Sequence, residues 1–118
     1  MIHEIATLAI QSQHIAAFRR TFGEHTHLLS RALGYCGHLL AQGIEEPQRF
    51  NLIVKWQSIA DHTAFETSED HQVFMMGLQA FFSEAPQVYH VEAVAWSADG
   101  SAVVNGDAGI GRHGALGR

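Results

Sequence analysis

Three of the nine histidines in this chain of 118 residues stand where a base could act near neutral pH. His25 lies in the apolar stripe of a predicted helix and is expected to face the sheet, while His62 and His71 lie in the first turns of two helical segments. A helix N-terminus lowers the proton affinity of a histidine, which suits a neutral base. The alternatives are a core histidine bonded to a backbone carbonyl for His25 and a solvated surface position for the other two.

Two further side chains could donate a hydrogen bond to an oxyanion that forms during a reaction. Trp56 closes a predicted strand, and its indole N–H either serves as such a donor or belongs to a large ring that fills the base of the core. Asn51 interrupts an otherwise apolar strand, and a buried amide needs partners in a ligand or in a neighbouring loop. Large apolar side chains could wall a slot for a flat ligand or form ordinary core, and they are Phe18, Phe22, Phe65, Phe74, Met75, Met76, Phe81 and Phe82.

The spacing of the histidines argues against a metal site. No two histidines stand three or four residues apart, and His62 and Glu66 have that spacing but form only a pair. The single cysteine, Cys36, has no partner at motif spacing and excludes an internal disulfide. No Gly-rich phosphate loop within a strand–helix context and no serine nucleophile elbow occurs. We therefore expect neither a metal nor a nucleotide cofactor.

The composition is that of one soluble globular domain. Apolar residues make 47% of the chain and charged residues 16%, and the formal net charge is −5. Such a surface has no basic stripe to neutralise phosphates, so no nucleic-acid partner is expected. There is no apolar run of about 18 residues and no basic leader at the N-terminus, so we expect a cytoplasmic protein without membrane contact.

Hydrophobic periodicity predicts the elements that position these side chains. The predicted order is β-α-β-β-α-β, the ferredoxin-like split motif, with an antiparallel four-stranded sheet and both helical regions on one face. A Gly-rich stretch at residues 98–118 is predicted to be a tail outside a domain that spans residues 1–97. The predicted strands cover residues 2–10, 35–44, 50–56 and 87–96, and the helical regions cover 13–33 and 59–82, the latter interrupted at 67–70.

The predicted strands are apolar on both faces, although two helical regions can cover only one. Leaving a whole face wet is unfavourable, because burial of a Leu or Phe side chain contributes roughly 1.5–3 kcal/mol. We therefore predict a homodimer in which two sheets pack face to face into a shared barrel. The alternative is a monomer whose small residues tolerate water. His38 and His90, on predicted edge strands, are then ordinary candidates for a contact between the two copies.

The order of elements and several sequence blocks resemble the antibiotic biosynthesis monooxygenase (ABM) domain family. In the family an apolar strand ends in Trp and is followed by Ser and a helix bearing His; Trp56, Ser58, Ser68 and His71 match this pattern, whereas Phe65 stands where a His is frequent. The resemblance covers residues 1 to about 95 and implies a dimeric α+β barrel. The blocks that carry it are residues 31–37 (RALGYCG), 45–50 (EEPQRF) and 54–62 (VKWQSIADH).

The resemblance implies a cofactor-independent monooxygenase that oxidises a small aromatic or quinol-like substrate with dioxygen as co-substrate. The haem-degrading branch fits less well, because the positions of its Asn, Trp and His hold Ile5 or Ala6, Phe65 and Met75. The alternatives are a non-catalytic dimeric module that binds a small apolar ligand and, third, a haem-binding protein. We expect the pocket between sheet and helices, and its polar groups to be Trp56, Asn51 and one of His25, His62 or His71.

Overall fold

The structure is a computed structural model, and it describes residues 1–98 and 101–104. No helix in these two ranges is long and apolar enough to cross a membrane. The helices are α1 (Ile15–Ser30), α2 (Ile59–Glu66) and α3 (Glu69–Leu78), with short 3₁₀ turns at Ser12–His14 and Gln79–Phe81. The strands are β1 (Ile2–Ala9), β2 (Tyr35–Gln42), β3 (Arg49–Trp56), β4 (Gln87–Glu92), β5 (Ala95–Ala98) and β6 (Ser101–Val104).

The main sheet is antiparallel and has the strand order β2-β3-β1-β4, which confirms the predicted ferredoxin-like α+β fold. Near the start of β1, Glu4 pairs with Val54 of β3 on one side and with His90 of β4 on the other. Residues directly opposite one another in a sheet point to the same face. These three side chains therefore share one face, and the burial of Val54 identifies it as the face that the helices cover.

The apolar stripe of α1 packs on that face of the sheet. Phe18, Phe22 and Leu29 are buried, as the spacing of three, four and seven residues predicts. The helix ends at Ser30 rather than at residue 33, and Gly34 follows with φ +86°. A Cβ at Gly34 would lie 2.3 Å from the carboxyl group of Asp61, so both the backbone conformation and the close approach favour glycine here.

Serine side chains start the two short helices that follow β3. The Oγ of Ser58 accepts a hydrogen bond from the backbone N–H of Asp61 at 3.1 Å, and the Oγ of Ser68 accepts one from the N–H of His71 at 3.1 Å. Such N-caps satisfy backbone donors that have no partner inside the helix. The predicted interruption at residues 67–70 is thus confirmed as the boundary between α2 and α3.

Three predicted strands are longer than the observed ones, the first of them by one residue, since β1 ends at Ala9. The last strand of the main sheet ends at Glu92, not at residue 96, because Glu92 pairs with Ile2 and β1 offers no residue beyond that point. β2 ends at Gln42 because Gly43 already closes the turn through its N–H to the carbonyl of Arg49, at 2.7 Å. Ala95–Ala98 instead pairs with Ser101–Val104, so part of the predicted tail is β6; the remainder of that tail lies outside the described residues.

The other face of the main sheet is not covered by any helix of the described chain. It presents Leu39, Tyr89 and Val91, whose exposed fractions are 57%, 54% and 43%. The strands are therefore apolar on both faces, as the sequence predicts. The homodimer that would cover this second face remains a prediction.

Candidate active site

A cavity of about 260 Å³ lies between the main sheet and the three helices. Its lining includes Phe22, Phe65, Phe74 and Met75, four of the side chains named above as candidate walls. Phe18 does not line it, because this ring is fully buried against Phe50 at a centroid distance of 4.9 Å and belongs to the core. The polar lining consists of four side chains, and they are Glu4, His62, Glu66 and His71.

Glu4 is the most buried carboxyl group in this lining, with an exposed fraction of 8%. Its Oε1 accepts a hydrogen bond from Nε1 of Trp56 at 3.0 Å and lies 3.1 Å from Nε2 of His62. Within residues 1–98 and 101–104 no side chain donates to its Oε2. Burial raises the pKa of Glu4, the hydrogen bond from Trp56 opposes that rise, and the charge of Glu66 adds to it.

His62 links the cavity to the edge of the sheet. Its Nε2 lies near Oε1 of Glu4 and 3.6 Å from Oε2 of Glu66, while its Nδ1 lies 2.7 Å from Nε2 of His90. The imidazole stacks on Trp56, with ring centroids 5.3 Å apart and an interplanar angle of 22°. Desolvation lowers the pKa of His62, Glu66 opposes this, and His90 and His71 add to it, so the site favours the neutral ring.

The local sequence explains why Trp56 and His62 meet. Trp56 is the last residue of β3, and the capping residue Ser58 follows two positions later. The chain therefore turns at once into α2, and the first turn of this helix places His62 over the indole ring. Glu66 lies one further turn along the same helical face, at the i, i+4 position.

His71 is the second histidine of the cavity. It lies in the first turn of α3 and meets Phe65 edge-on, with ring centroids 5.3 Å apart. Desolvation lowers the pKa of His71, and interactions with Glu66 oppose that effect. The cavity thus brings together two of the three predicted bases.

His25 does not face the sheet, so this expectation is wrong. Its Nδ1 lies 2.8 Å from the carbonyl oxygen of Thr21, and a Cβ added at Gly77 of α3 would lie 2.8 Å from its Nε2. The reason is that α3 packs beside α1, and position 25 of α1 points toward this neighbouring helix. His25 is therefore a half-buried histidine satisfied by a backbone carbonyl, which is the alternative stated for it above.

The two predicted donors are not available to a ligand in the cavity. Asn51 is exposed and pairs with Thr7 and Ala41, so it lies on the face of the sheet opposite to the cavity. The indole N–H of Trp56 is directed at Glu4 and is fully buried. Trp56 therefore acts on the site through that carboxyl group.

Glu4, Glu66 and His90 are site residues that the sequence prediction missed or assigned elsewhere. His90 was expected at a dimer contact, yet its ring reaches His62 from β4. A signal for Glu4 was present, because it alternates with Ala6 and Leu8 and so lies on the core face of β1. In the described residues no group of three or more His, Cys, Asp or Glu side chains is placed to hold a metal ion.

Comparisons with known proteins agree with the fold. The family model of the antibiotic biosynthesis monooxygenase (ABM) domain matches residues 1–76. The uncharacterized protein YczJ of Bacillus subtilis (strain 168) is 30% identical over 95 residues, which are 80% of this chain and all of YczJ.

Two solved structures have the same fold. A candidate antibiotic biosynthesis monooxygenase from Bordetella bronchiseptica is 35% identical, with a TM-score of 0.75, over 77% of this chain and 94% of the other. One from Caulobacter crescentus superimposes with a TM-score of 0.70 at 17% identity, over 79% of this chain and 89% of the other, and this similarity concerns the fold alone.

The fold is that of a ferredoxin-like α+β protein, with a mostly apolar cavity under its helices. Because the family model matches residues 1–76, the chain belongs to the antibiotic biosynthesis monooxygenase domain family. Its general function is accordingly monooxygenase-like.

Proposed function

We propose that the protein is a cofactor-independent monooxygenase that oxidises a small aromatic, quinol-like substrate with dioxygen. The observation that supports it is the lining of the cavity, whose apolar walls end in a buried carboxyl group beside neutral imidazoles. Apolar walls bind a flat ring, and a few polar groups fix its orientation. A base at that end removes the proton of a ring hydroxyl, which makes the ring electron-rich enough to reduce dioxygen.

The overall step balances without a further reductant. A ring carbon of the substrate gains one oxygen atom of dioxygen, and the other oxygen atom leaves as water with two hydrogens of the substrate. The substrate supplies all four electrons, and no net proton is taken up or released. This is why the proposal includes neither a flavin nor a metal ion.

The size of the cavity sets the class of substrate. Its volume of about 260 Å³ lies just below the common range for small-molecule sites, about 300–1,000 Å³. A compact ring system fits this volume better than a large, branched molecule. The ligand must also carry a hydroxyl group at the end where Glu4, His62 and His71 meet.

A homodimer is part of the proposal. The uncovered face of the main sheet presents Leu39, Tyr89 and Val91, all more than two fifths exposed. A second copy of the same face would bury these side chains and leave the helices, and the cavity beneath them, on the outside of the assembly.

Oxygen uptake tests the activity. Dithranol, a dihydroxyanthrone, is added to protein dialysed against a chelator, without flavin, and oxygen consumption and the formation of the quinone are followed together. We expect one molecule of dioxygen per molecule of quinone and no hydrogen peroxide. An uptake equal to the buffer rate with dithranol and with smaller hydroquinones would overturn the proposal, and a rise in melting temperature with the same compounds would then favour a binding module.

A further inference from the structure

Glu4 is a carboxyl group at the polar end of the cavity whose side chain is nine tenths buried and keeps one oxygen without a donor in the described residues. Its Oε1 has two neighbours, Nε1 of Trp56 and Nε2 of His62. Its Oε2 has no donor in the described residues, although the side chain is only 10% exposed. A buried carboxyl oxygen without a partner is unfavourable, and a hydroxyl group bound in the cavity can satisfy it.

The two ring nitrogens of His62 both lie close to other protein side chains. Its Nε2 lies 3.1 Å from Oε1 of Glu4 and 3.6 Å from Oε2 of Glu66, so two carboxyl groups flank that nitrogen. Its Nδ1 shares a hydrogen bond of 2.7 Å with Nε2 of His90, in which one nitrogen donates and the other accepts. Both ring nitrogens thus have protein groups as near neighbours, and the Nδ1 hydrogen bond to His90 holds the ring in place.

We propose that Glu4 is the catalytic base, that its Oε2 takes the hydroxyl proton of the bound ring, and that His62 and His90 are positioning residues. This assignment rests on the proposed function. The O–H bond of the substrate breaks and an O–H bond forms on Glu4. The same proton later passes to the oxygen atom that leaves as water, so the carboxylate is restored in each turnover.

The surroundings of Glu4 suit this role. The titratable groups that face it are His62 and Glu66 from α2, His90 from β4 and His71 from α3, and Trp56 donates from β3. Burial raises the pKa of Glu4, which brings a carboxyl group closer to the operating pH of a general base. The rate kcat/KM is then expected to rise with pH as Glu4 loses its proton.

The alternative base is His71, which also lines the cavity. Glu4→Gln keeps the size of the side chain and an acceptor for Trp56 but cannot take a proton. We expect this variant to lower kcat/KM for dithranol by 10²–10⁴-fold, the usual contribution of a general base, and to lose the rise with pH. We expect His71→Gln to lower kcat/KM by less than tenfold and to keep that rise. Glu24→Gln, an exposed carboxyl on α1, is the matched control.

Binding of para-nitrophenol separates this inference from the proposed function, because it needs no oxidation. The wild type binds the neutral phenol through Oε2 and repels the phenolate, so its affinity falls as pH rises. In Glu4→Gln the repelling charge is gone. We expect the ratio of the affinity for the neutral phenol to the affinity for the phenolate to be at least tenfold smaller in this variant than in the wild type.

Each outcome has one meaning. No oxygen uptake by the wild type, with the pH dependence of nitrophenol binding abolished in Glu4→Gln, overturns the proposed activity and leaves Glu4 as the hydroxyl acceptor. Glu4→Gln with kcat/KM within tenfold of the wild type overturns the role of Glu4, as does unchanged nitrophenol binding in this variant. A larger loss in His71→Gln than in Glu4→Gln assigns the base to His71. A circular dichroism spectrum and melting curve establish that each variant is folded.

Discussion

The indole Nε1 of Trp56 donates a hydrogen bond to Oε1 of Glu4 over 3.0 Å, and both residues are more than nine tenths buried. This bond joins β3 to β1 on the face that carries the cavity. It stabilises the ionised form of Glu4 and so opposes the effect of burial on the pKa of that carboxyl group. Trp56 therefore lowers the pKa of Glu4 from the value that burial alone would give.

Trp56→Phe removes this donor, and the pKa of Glu4 is expected to rise further. In oxygen-uptake assays the rise of kcat/KM should move to higher pH. We also expect a loss of about 1–3 kcal/mol in the free energy of unfolding, because the carboxyl oxygen loses a buried partner. Denaturant titration and a pH profile measure the two effects.

Phe65→Leu is the control for the loss of packing around the indole. Phe65 also contacts Trp56, with ring centroids 5.6 Å apart, but it has no bond to Glu4. The variant Phe65→Leu should lower the free energy of unfolding without shifting the pH dependence of kcat/KM. Equal displacement of the profile in both variants would show that packing, and not the hydrogen bond, controls the protonation of Glu4.

The raised pKa of Glu4 also predicts a pH dependence of stability. The folded state binds this proton more tightly than the unfolded state, in which the carboxyl group has its ordinary pKa of 4.5. The wild type therefore loses stability as pH rises from about that value through the raised pKa of the folded state. Glu4→Gln has no such loss, so its melting temperature relative to that of the wild type should be higher at pH 8 than at pH 4.

The histidines of the cavity affect stability at lower pH, and this effect is an internal check on the measurement. Burial lowers the pKa of His71 below 6.5, so protonation in the unfolded state costs stability as pH falls through 6.5 toward the lowered value. Glu4→Gln keeps this loss, and His71→Gln reduces it. A pH dependence of stability in Glu4→Gln identical to that of the wild type above pH 5 would contradict the assignment.

The sequence predicts the fold well because its signals are local. The serine caps before α2 and α3, the apolar stripe of α1 and the glycine at position 34 each determine where an element begins or ends. His62 and His71 follow directly from the two caps. Each is in the first turn of its helix, and both reach the cavity.

The rest of the site depends on contacts between distant elements. Glu4 lies opposite His90 only in the register of β1 with β4, and no local pattern specifies that register. His25 follows the helical stripe but meets α3, because the position of α3 beside α1 is decided by tertiary packing. Asn51 lies in the correct strand but on the other face, since alternation assigns it there.

The cavity can be tested by a matched pair of tryptophan variants. Val88 of β4 lines the cavity, whereas Val73 of α3 is not among the lining residues, and the two are 45% and 44% exposed. Val88→Trp should narrow the cavity and weaken the binding of para-nitrophenol at least tenfold, because the ring then competes for the same volume. Val73→Trp should change the affinity less than twofold. Isothermal titration calorimetry measures both, and equal affinities for the two variants would place the ligand elsewhere.

The proposed dimer predicts that charge on the uncovered face of the sheet separates the two copies. Leu39→Glu combined with Val91→Glu brings four carboxylates into one two-fold interface, where each must be desolvated or repelled. We expect the dimer to dissociate at least 100-fold more readily, a change of about 2.8 kcal/mol at 1.4 kcal/mol per tenfold. Leu33→Glu is the control, because Leu33 is 87% exposed and belongs to none of the sheet's strands. Sedimentation velocity over a range of micromolar concentrations decides: a wild type that sediments as a single copy throughout rules out the two-sheet barrel.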